Sequence, residues 1–165
     1  MLIAILSDIH DNLPNLDKFL SWCRGNKIAK IIFCGDTTTI ETASHLAAGF
    51  SGEIYMTLGN IEFYDETELE KCKNINYVGE IGIIEIDNLT VGICHEPEKI
   101  ERLLEITPVD PDFIFYGHTH KPWTEKRGST TVANPGNLAN QFYQPTFAVL
   151  DTATKKLDLK ILADV

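Results

Sequence analysis

Five short runs rich in isoleucine, leucine, valine and phenylalanine constrain this chain most: LIAIL (2–6), KIIFC (30–34), IYMTL (54–58), LTVGIC (89–94) and FIFY (113–116). Runs this short and this uniformly apolar read as buried strands. Between them lie stretches with helical spacing. Leu13, Leu16, Phe19, Leu20 and Cys23 predict a helix that begins around Pro14 and ends near Gly25. Ile40 to Ala48 predicts a second, and Ile100, Leu103 and Leu104 a third. Strands alternating with helices imply βαβ units, parallel pairing and right-handed crossovers that lay helices over the sheet faces.

The last third changes character. TTVAN (130–134), FAVLD (147–151) and KLDLKIL (156–162) succeed one another without room for helices, which predicts an antiparallel meander. INYVG and IGIIEID, divided near Glu80, add two more strands and give enough for a second sheet. The expected fold class is α/β, with two stacked sheets flanked by helices. With 165 residues, 44% of them hydrophobic, the chain suits one domain over residues 1–165. No repeat or linker interrupts it; Pro108, Pro111 and Asn134-Pro135-Gly136-Asn137 mark loops.

Composition also excludes. A net charge of −10 repels a phosphate backbone, so no broad nucleic-acid footprint of lysines and arginines is available. A phosphate-bearing substrate would have to be drawn in by something else, and bound divalent cations reverse the local sign of a site. The four cysteines, Cys23, Cys34, Cys72 and Cys94, form no CxxC pair, which argues against a zinc knuckle or a disulfide framework. No run reaches about 18 apolar residues, and the apolar start carries no basic flank or cleavage site. A cytoplasmic protein without membrane contact is expected. No GxGxxG or GxxxxGK[ST] appears, so a nucleotide-binding phosphate cradle is not encoded.

Chemistry concentrates at the carboxyl end of each apolar run. The first gives Asp8 and His10, the second Gly35-Asp36, the third Gly59-Asn60, the fourth His95, and the fifth Gly117-His118-Thr119-His120. Ligands in α/β sheets bind beyond the carboxyl ends of parallel strands, so residues far apart in sequence would meet at one rim. Oxygen and imidazole donors suit Mn, Fe, Co, Ni or Zn. Asp36, in the middle, is the carboxylate best placed to bridge two ions. Taken singly, each piece has a plainer reading as a turn, a cap or a strand-end histidine. GHTH is the sharpest, and four of the five histidines fall at these strand ends, leaving His45 on the second helix as surface.

In ordered combination, DIHDN, GD, GN, the single histidine, GHTH and NPGN resemble the calcineurin-like metallophosphoesterases, and among them the small bacterial and archaeal phosphodiesterases of the YfcE type. The resemblance spans most of the chain and implies a four-layer α/β/β/α sandwich with two mixed sheets. It implies that Asp8, His10, Asp36 and His120 hold one divalent ion, and that Asp36, Asn60, His95 and His118 hold a second, with manganese first among Mn, Ni, Fe, Co and Zn. The implied reaction is hydrolysis of a small phosphodiester by a metal-activated water or hydroxide, with Asp36 and Asn60 in catalytic positions. Relatives are often homodimers.

Three departures stand out. Many relatives read Gly-Asn-His, their histidine protonating the leaving group, but this chain has Ile61 there. Such proton donation is typically worth about a hundred- to ten-thousandfold, so a slow enzyme favouring good leaving groups is expected. His95 is followed by Glu96-Pro97 where relatives often carry His-Gly-His, and no arginine comes after Asn137. A second class of function therefore stays open: a protein-interaction scaffold similar to the retromer scaffold subunit, against which the complete donor set argues. Among smaller features, Asp11 and Asn12 are expected to cap the first helix. Glu62 and Glu96 would either orient imidazoles or be solvated. Phe63, Tyr64, Tyr143 and Trp123 would floor a substrate pocket or pack elsewhere.

Overall fold

In the computed structural model, which describes residues 1–165, β1 (Leu2–Leu6), β2 (Lys30–Phe33), β3 (Glu53–Met56) and β4 (Ile75–Tyr77) pair in parallel, in that order. On the far side of β1, β10 (Thr146–Asp151) runs antiparallel, and β11 (Lys156–Ile161) pairs antiparallel with β10 at the edge. The second sheet has the order β5 (Ile81–Ile86), β6 (Leu89–Cys94), β7 (Phe113–Phe115), β9 (Thr130–Asn134), β8 (Trp123–Arg127). Its β6–β7 and β7–β9 pairs are parallel and its two hairpins antiparallel, so both sheets are mixed. Asp87 and Asn88, both at positive φ, make the two-residue turn between β5 and β6, the conformation such hairpins favour.

Alternation along the strands produces the layers. From β1 and β2, Ala4, Leu6, Ile31 and Phe33 face α1 (Leu13–Gly25) and α2 (Ile40–Gly49), packing with Leu16, Phe19, Leu20 and Leu46. Full burial of each leucine, isoleucine and phenylalanine side chain among these contributes about 1.5–3 kcal/mol. The opposite face, Ile3, Ile5, Ile32 and Cys34, meets Val91, Ile93, Phe113 and Phe115 of the second sheet. Beyond that sheet, Ile100 and Leu103 of α3 (Ile100–Ile106) pack on Cys94, Ile114 and Val132. The order is α/β/β/α, as the resemblance implies. No helix is long and apolar enough to cross a membrane.

Of the expected meander only the β10–β11 hairpin forms. β9 lies parallel to β7 inside the second sheet, and residues 135–145 then carry the chain across to the first, where β10 pairs with β1. β9, Thr-Thr-Val-Ala-Asn, is buried along nearly its whole length between neighbours on either side, a context that its composition alone does not convey. β8 has no counterpart in the sequence reading, because Trp-Thr-Glu-Lys-Arg is a charged, exposed edge strand with one neighbour. The 3₁₀ turn Glu66–Lys71 has none either.

Candidate metal centre

Loops from both sheets meet at the strand ends, where main-chain hydrogen bonds tie the backbone down. The loop after β1 docks along the loop after β2 through four main-chain hydrogen bonds. Asp8 N–H donates to Gly35 O (2.9 Å), Ile9 and His10 N–H to Asp36 O (2.9 and 3.1 Å), and Asp11 N–H to Thr37 O (3.1 Å). Gly117 N–H donates to His95 O (2.9 Å), joining the two loops of the second sheet. Asp8, His10, Asp36, His118 and His120 all sit at positive φ, between 46° and 67°. Aspartate and histidine tolerate this region better than most residues, yet such strain persists only where the surroundings over-determine it, and it concentrates at functional sites. Five of the seven predicted ligands carry it.

Close approach of the loops depends on glycine. A Cβ at Gly59 would lie 1.9 Å from Asp36 Oδ1, and one at Gly117 would lie 1.9 Å from Ser7 Oγ and 2.8 Å from Asp8 Oδ2. These glycines are needed for space; the chain turns at the aspartates and histidines themselves.

All seven predicted residues turn their donor atoms toward one another. In one group His10 Nε2 is 3.0 Å from His120 Nε2, and Asp8 Oδ1 is 3.7 Å from the first and 3.3 Å from the second. In the other, Asn60 Oδ1 is 3.0 Å from His95 Nε2 and 2.9 Å from His118 Nδ1. Asp36 Oδ2 lies between them, 3.8 Å from His10 Nε2 and 3.2 Å from His95 Nε2. Asp8, Asp36 and His95 also form a cluster with atoms within 4.8 Å of one another, so Asp8 reaches toward both groups. Buried His95 donates from Nδ1 to the Cys34 carbonyl at 2.7 Å, which leaves the Nε2 lone pair facing inward.

Electrostatics and satisfaction both fit a cation. Burial pushes the Asp8 carboxyl up, but the His10 and His120 imidazoles, with His95 and Ser7, bring it down to about 2. For His95, burial disfavours the charged ring but is outweighed by Asp36 and Asp8, and its pKa rises. His120 is raised chiefly by Asp8. Asp8 Oδ1 is fully buried with no hydrogen-bond partner, the kind of orphan that an ion relieves. Two imidazole nitrogens converging at 3.0 Å make sense as neighbouring ligands of one ion.

Support comes from residues beyond the seven donors. Asn134 donates to Gly117 O (2.7 Å) and Thr119 Oγ1 (3.0 Å), while buried Asn137 donates to His120 O (3.1 Å), so the NPGN loop holds both ends of GHTH. The same loop bonds back to β1, with Leu138 and Ala139 N–H donating to Asp8 O. Glu62 orients no imidazole. Its carboxylate instead accepts from the N–H groups of Asp36 (2.7 Å), Thr37 (3.2 Å) and Gly59 (2.9 Å), stapling the β2 loop to the β3 loop. Burial raises its pKa. Glu96 pairs with Lys99. Asn12 caps α1 as expected, whereas Asp11 serves α2, accepting from Thr39 Oγ1 (2.8 Å) and Thr42 Oγ1 (2.5 Å). Tyr64 bonds Thr37 Oγ1 (2.5 Å), and Trp123 lines an apolar cleft of about 320 Å³ with Leu157 and Leu159, between the edges of the two sheets. Neither floors the rim where the seven donors meet. Ile61 donates its N–H to Asp36 Oδ1 (3.3 Å) and brings no titratable side chain.

Residues 1–155 match the calcineurin-like phosphoesterase superfamily domain. Phosphodiesterase MJ0936 of Methanocaldococcus jannaschii is 29% identical, the match covering 94% of this chain and 96% of that protein. A solved structure described as a novel archaeal phosphodiesterase superposes with a TM-score of 0.86 at 26% identity, over 98% of this chain and 99% of the other. The Escherichia coli phosphoesterase YfcE gives 0.68 at 17% identity, over 98% and 100%. Vps29 from Entamoeba histolytica in complex with zinc gives 0.66 at 17% identity, over 98% and 99%. The last two are likenesses of fold alone.

Proposed function

This chain belongs to the calcineurin-like phosphoesterase superfamily, a family of hydrolases, and from that premise we propose that it hydrolyses small phosphodiesters at a two-cation site. Asp8, His10, Asp36 and His120 would hold one divalent ion, and Asp36, Asn60, His95 and His118 the other. One observation carries the reading: seven donor side chains from five loops turn inward together, with Asp36 Oδ2 between the two groups and Asp8 Oδ1 left without a partner. The oxygen and imidazole donors favour manganese, with nickel, iron, cobalt and zinc as alternatives.

Divalent ions bound there would supply charge neutralisation for the phosphoryl oxygens and a water of lowered pKa. The rest falls to the chain. Strained loops, zipped together by main-chain bonds, hold the donors so that little reorganisation is needed when substrate arrives. Asn60 faces both imidazoles through Oδ1, which directs its amide N–H groups away from them, toward the side where a phosphoryl oxygen would accept. Ile61 donates no proton, so the leaving oxygen must depart without help and aryl esters should outrun alkyl esters. With a net charge of −10, the cations, not a basic surface, would attract the substrate, which favours small diesters over long nucleic acids.

Purified protein, taken to be cytoplasmic and either monomeric or dimeric, is to be assayed with manganese and bis-p-nitrophenyl phosphate. Nitrophenol release well above that of an Asp8→Asn/His120→Ala double variant supports the proposal; equal rates sink it. Ile61 favours one rival reading, an interaction scaffold of the kind Vps29 represents within the same fold. Protein that binds no metal by elemental analysis but holds a partner tightly would support that rival.

A further inference from the structure

One residue of the rim is out of place by every packing rule. Phe142 is 91% exposed, lies at φ +61°, and sets its ring 5.6 Å from the ring of His120. A bulky side chain at positive φ is a genuine outlier, and a phenylalanine in water gains nothing from burial. Yet the conformation is enforced. Tyr143 N–H donates to Gln141 O at 2.6 Å, closing a three-residue turn with Phe142 at its apex, the strained positive-φ form of such turns. Asn137, fully buried, clamps both flanks: its Oδ1 accepts from Gln141 N–H (3.3 Å) and its Nδ2 donates to Tyr143 O (3.3 Å). The same Nδ2 donates to His120 O at 3.1 Å. One buried amide thus ties the turn to the backbone of a predicted ligand.

Resting on the phosphodiesterase reading above, we propose that Phe142 is a stacking platform for a planar aromatic group of the substrate, so that the preferred diesters carry a nucleobase or an aryl ring beside the phosphate. The ring stands one imidazole beyond the inward-facing Nε2 of His120, outside the donor cluster, where the organic part of a diester would project. No lysine or arginine forms a hydrogen bond or ion pair with any of the seven donor side chains, so the donor cluster itself offers the organic part no cationic partner. An aromatic face serves every base alike, because each has a π-face. Over-determined strain beside the reacting centre is what a fixed platform requires, since a mobile ring would spend binding energy on being ordered.

The test is equilibrium binding by calorimetry, in manganese, of adenosine 5′-monophosphate and of methyl phosphate to wild type, Phe142→Ala and Phe142→Trp, with hydrolysis of bis-p-nitrophenyl phosphate followed in parallel. Wild type is expected to bind the adenosine ester more tightly. Phe142→Ala should weaken it about five- to fiftyfold while methyl phosphate changes less than about twofold, and Phe142→Trp should restore it. Equal changes for both ligands, or none, overturn the inference. A shift in oligomeric state with adenosine affinity unchanged also overturns it, by making Phe142 an association residue. Such failures in a protein that still hydrolyses the diester leave the phosphodiesterase reading standing. A wild type that binds the ligands with the expected pattern but hydrolyses nothing removes that reading instead. Phe142 is exposed, so neither variant threatens folding.

Discussion

The two halves of the candidate centre are built differently. Around Asp8, His10 and His120 the backbone is strained at all three residues, the loop is zipped to its neighbour, and Asp8 Oδ1 has no partner. Around Asn60, His95 and His118 a neutral amide takes the place of the carboxylate: Asn60 Oδ1 faces both imidazoles, and His95 is anchored on Cys34 O. The first half also has Asp8 Oδ1 at 3.7 and 3.3 Å from its two imidazoles and shares Asp36. The second has only the shared Asp36 beside a neutral amide. An ion entering the first half meets Asp8, with its unpartnered Oδ1, in addition to the shared Asp36, while the second half adds only a neutral amide to that shared charge. The difference teaches that two sites sharing a carboxylate need not be equal, and that the strained half should bind first.

The largest effect comes from that ranking. Manganese titration of the wild type should show a tight step and a second about tenfold weaker or more. His120→Ala should abolish the tight step and lower kcat about a thousandfold, the upper range for losing one charge-stabilising group. His118→Ala should keep the tight step and lose the weak one. Calorimetry reads both. If His118→Ala removes the tighter step, the two halves have been ranked in the wrong order.

A smaller effect concerns what the second half lacks. Ile61 comes directly after Asn60 and donates its backbone N–H to Asp36 Oδ1, so a side chain there stands beside the second half of the candidate centre. Ile61→His should raise kcat about ten- to a hundredfold for alkyl leaving groups, below the full range of a matched general acid. For p-nitrophenyl leaving groups, which depart without a proton, it should change little. Comparing dimethyl with bis-p-nitrophenyl phosphate separates the cases; an equal gain on both means the imidazole acts by some other route, such as an added ligand.

What could be read from the sequence divides along the same physical line. Largely apolar runs located β1, β2, β6 and β7 closely, because burial on two faces leaves few polar residues in the strand, and β-branched Thr130, Thr131 and Val132 marked β9. The donors could be read because histidines and acids directly after such runs have few packing reasons to be there. The contacts that aim them could not. Glu62 staples Asp36 and Thr37, 26 and 25 positions earlier, as well as Gly59 nearby, and Asn137 reaches back to His120 while also closing the turn around Phe142. Hydrogen bonds between distant backbone groups leave no periodic trace, and an Asn-Pro-Gly-Asn stretch looks the same whether it clamps a site or merely turns. β8 escaped for the opposite reason: an edge strand keeps its charges, and charge reads as loop.

The smallest prediction belongs to the strained half and asks whether Asp11 is structural or catalytic. It sits next to His10 at positive φ, close enough to the donors to be mistaken for one. Its Oδ1, however, accepts from Thr39 Oγ1, Thr42 Oγ1 and, at 3.3 Å, Thr39 N–H, where Thr39 is the N-cap of α2 and makes no side-chain cap bond of its own. Asp11 thus does from another loop what a capping side chain does locally, and places a negative charge at the helix start. Asp11→Ala should cost about 1 kcal/mol, or roughly 2–4 °C in Tm for a chain of this size. Asp11→Asn should recover most of that, because one acceptor oxygen remains. The tight manganese step should persist in both variants. Loss of that step in Asp11→Asn, with Tm restored, would move Asp11 from the helix cap into the cation shell and make the first half richer in charge than its three strained residues suggest.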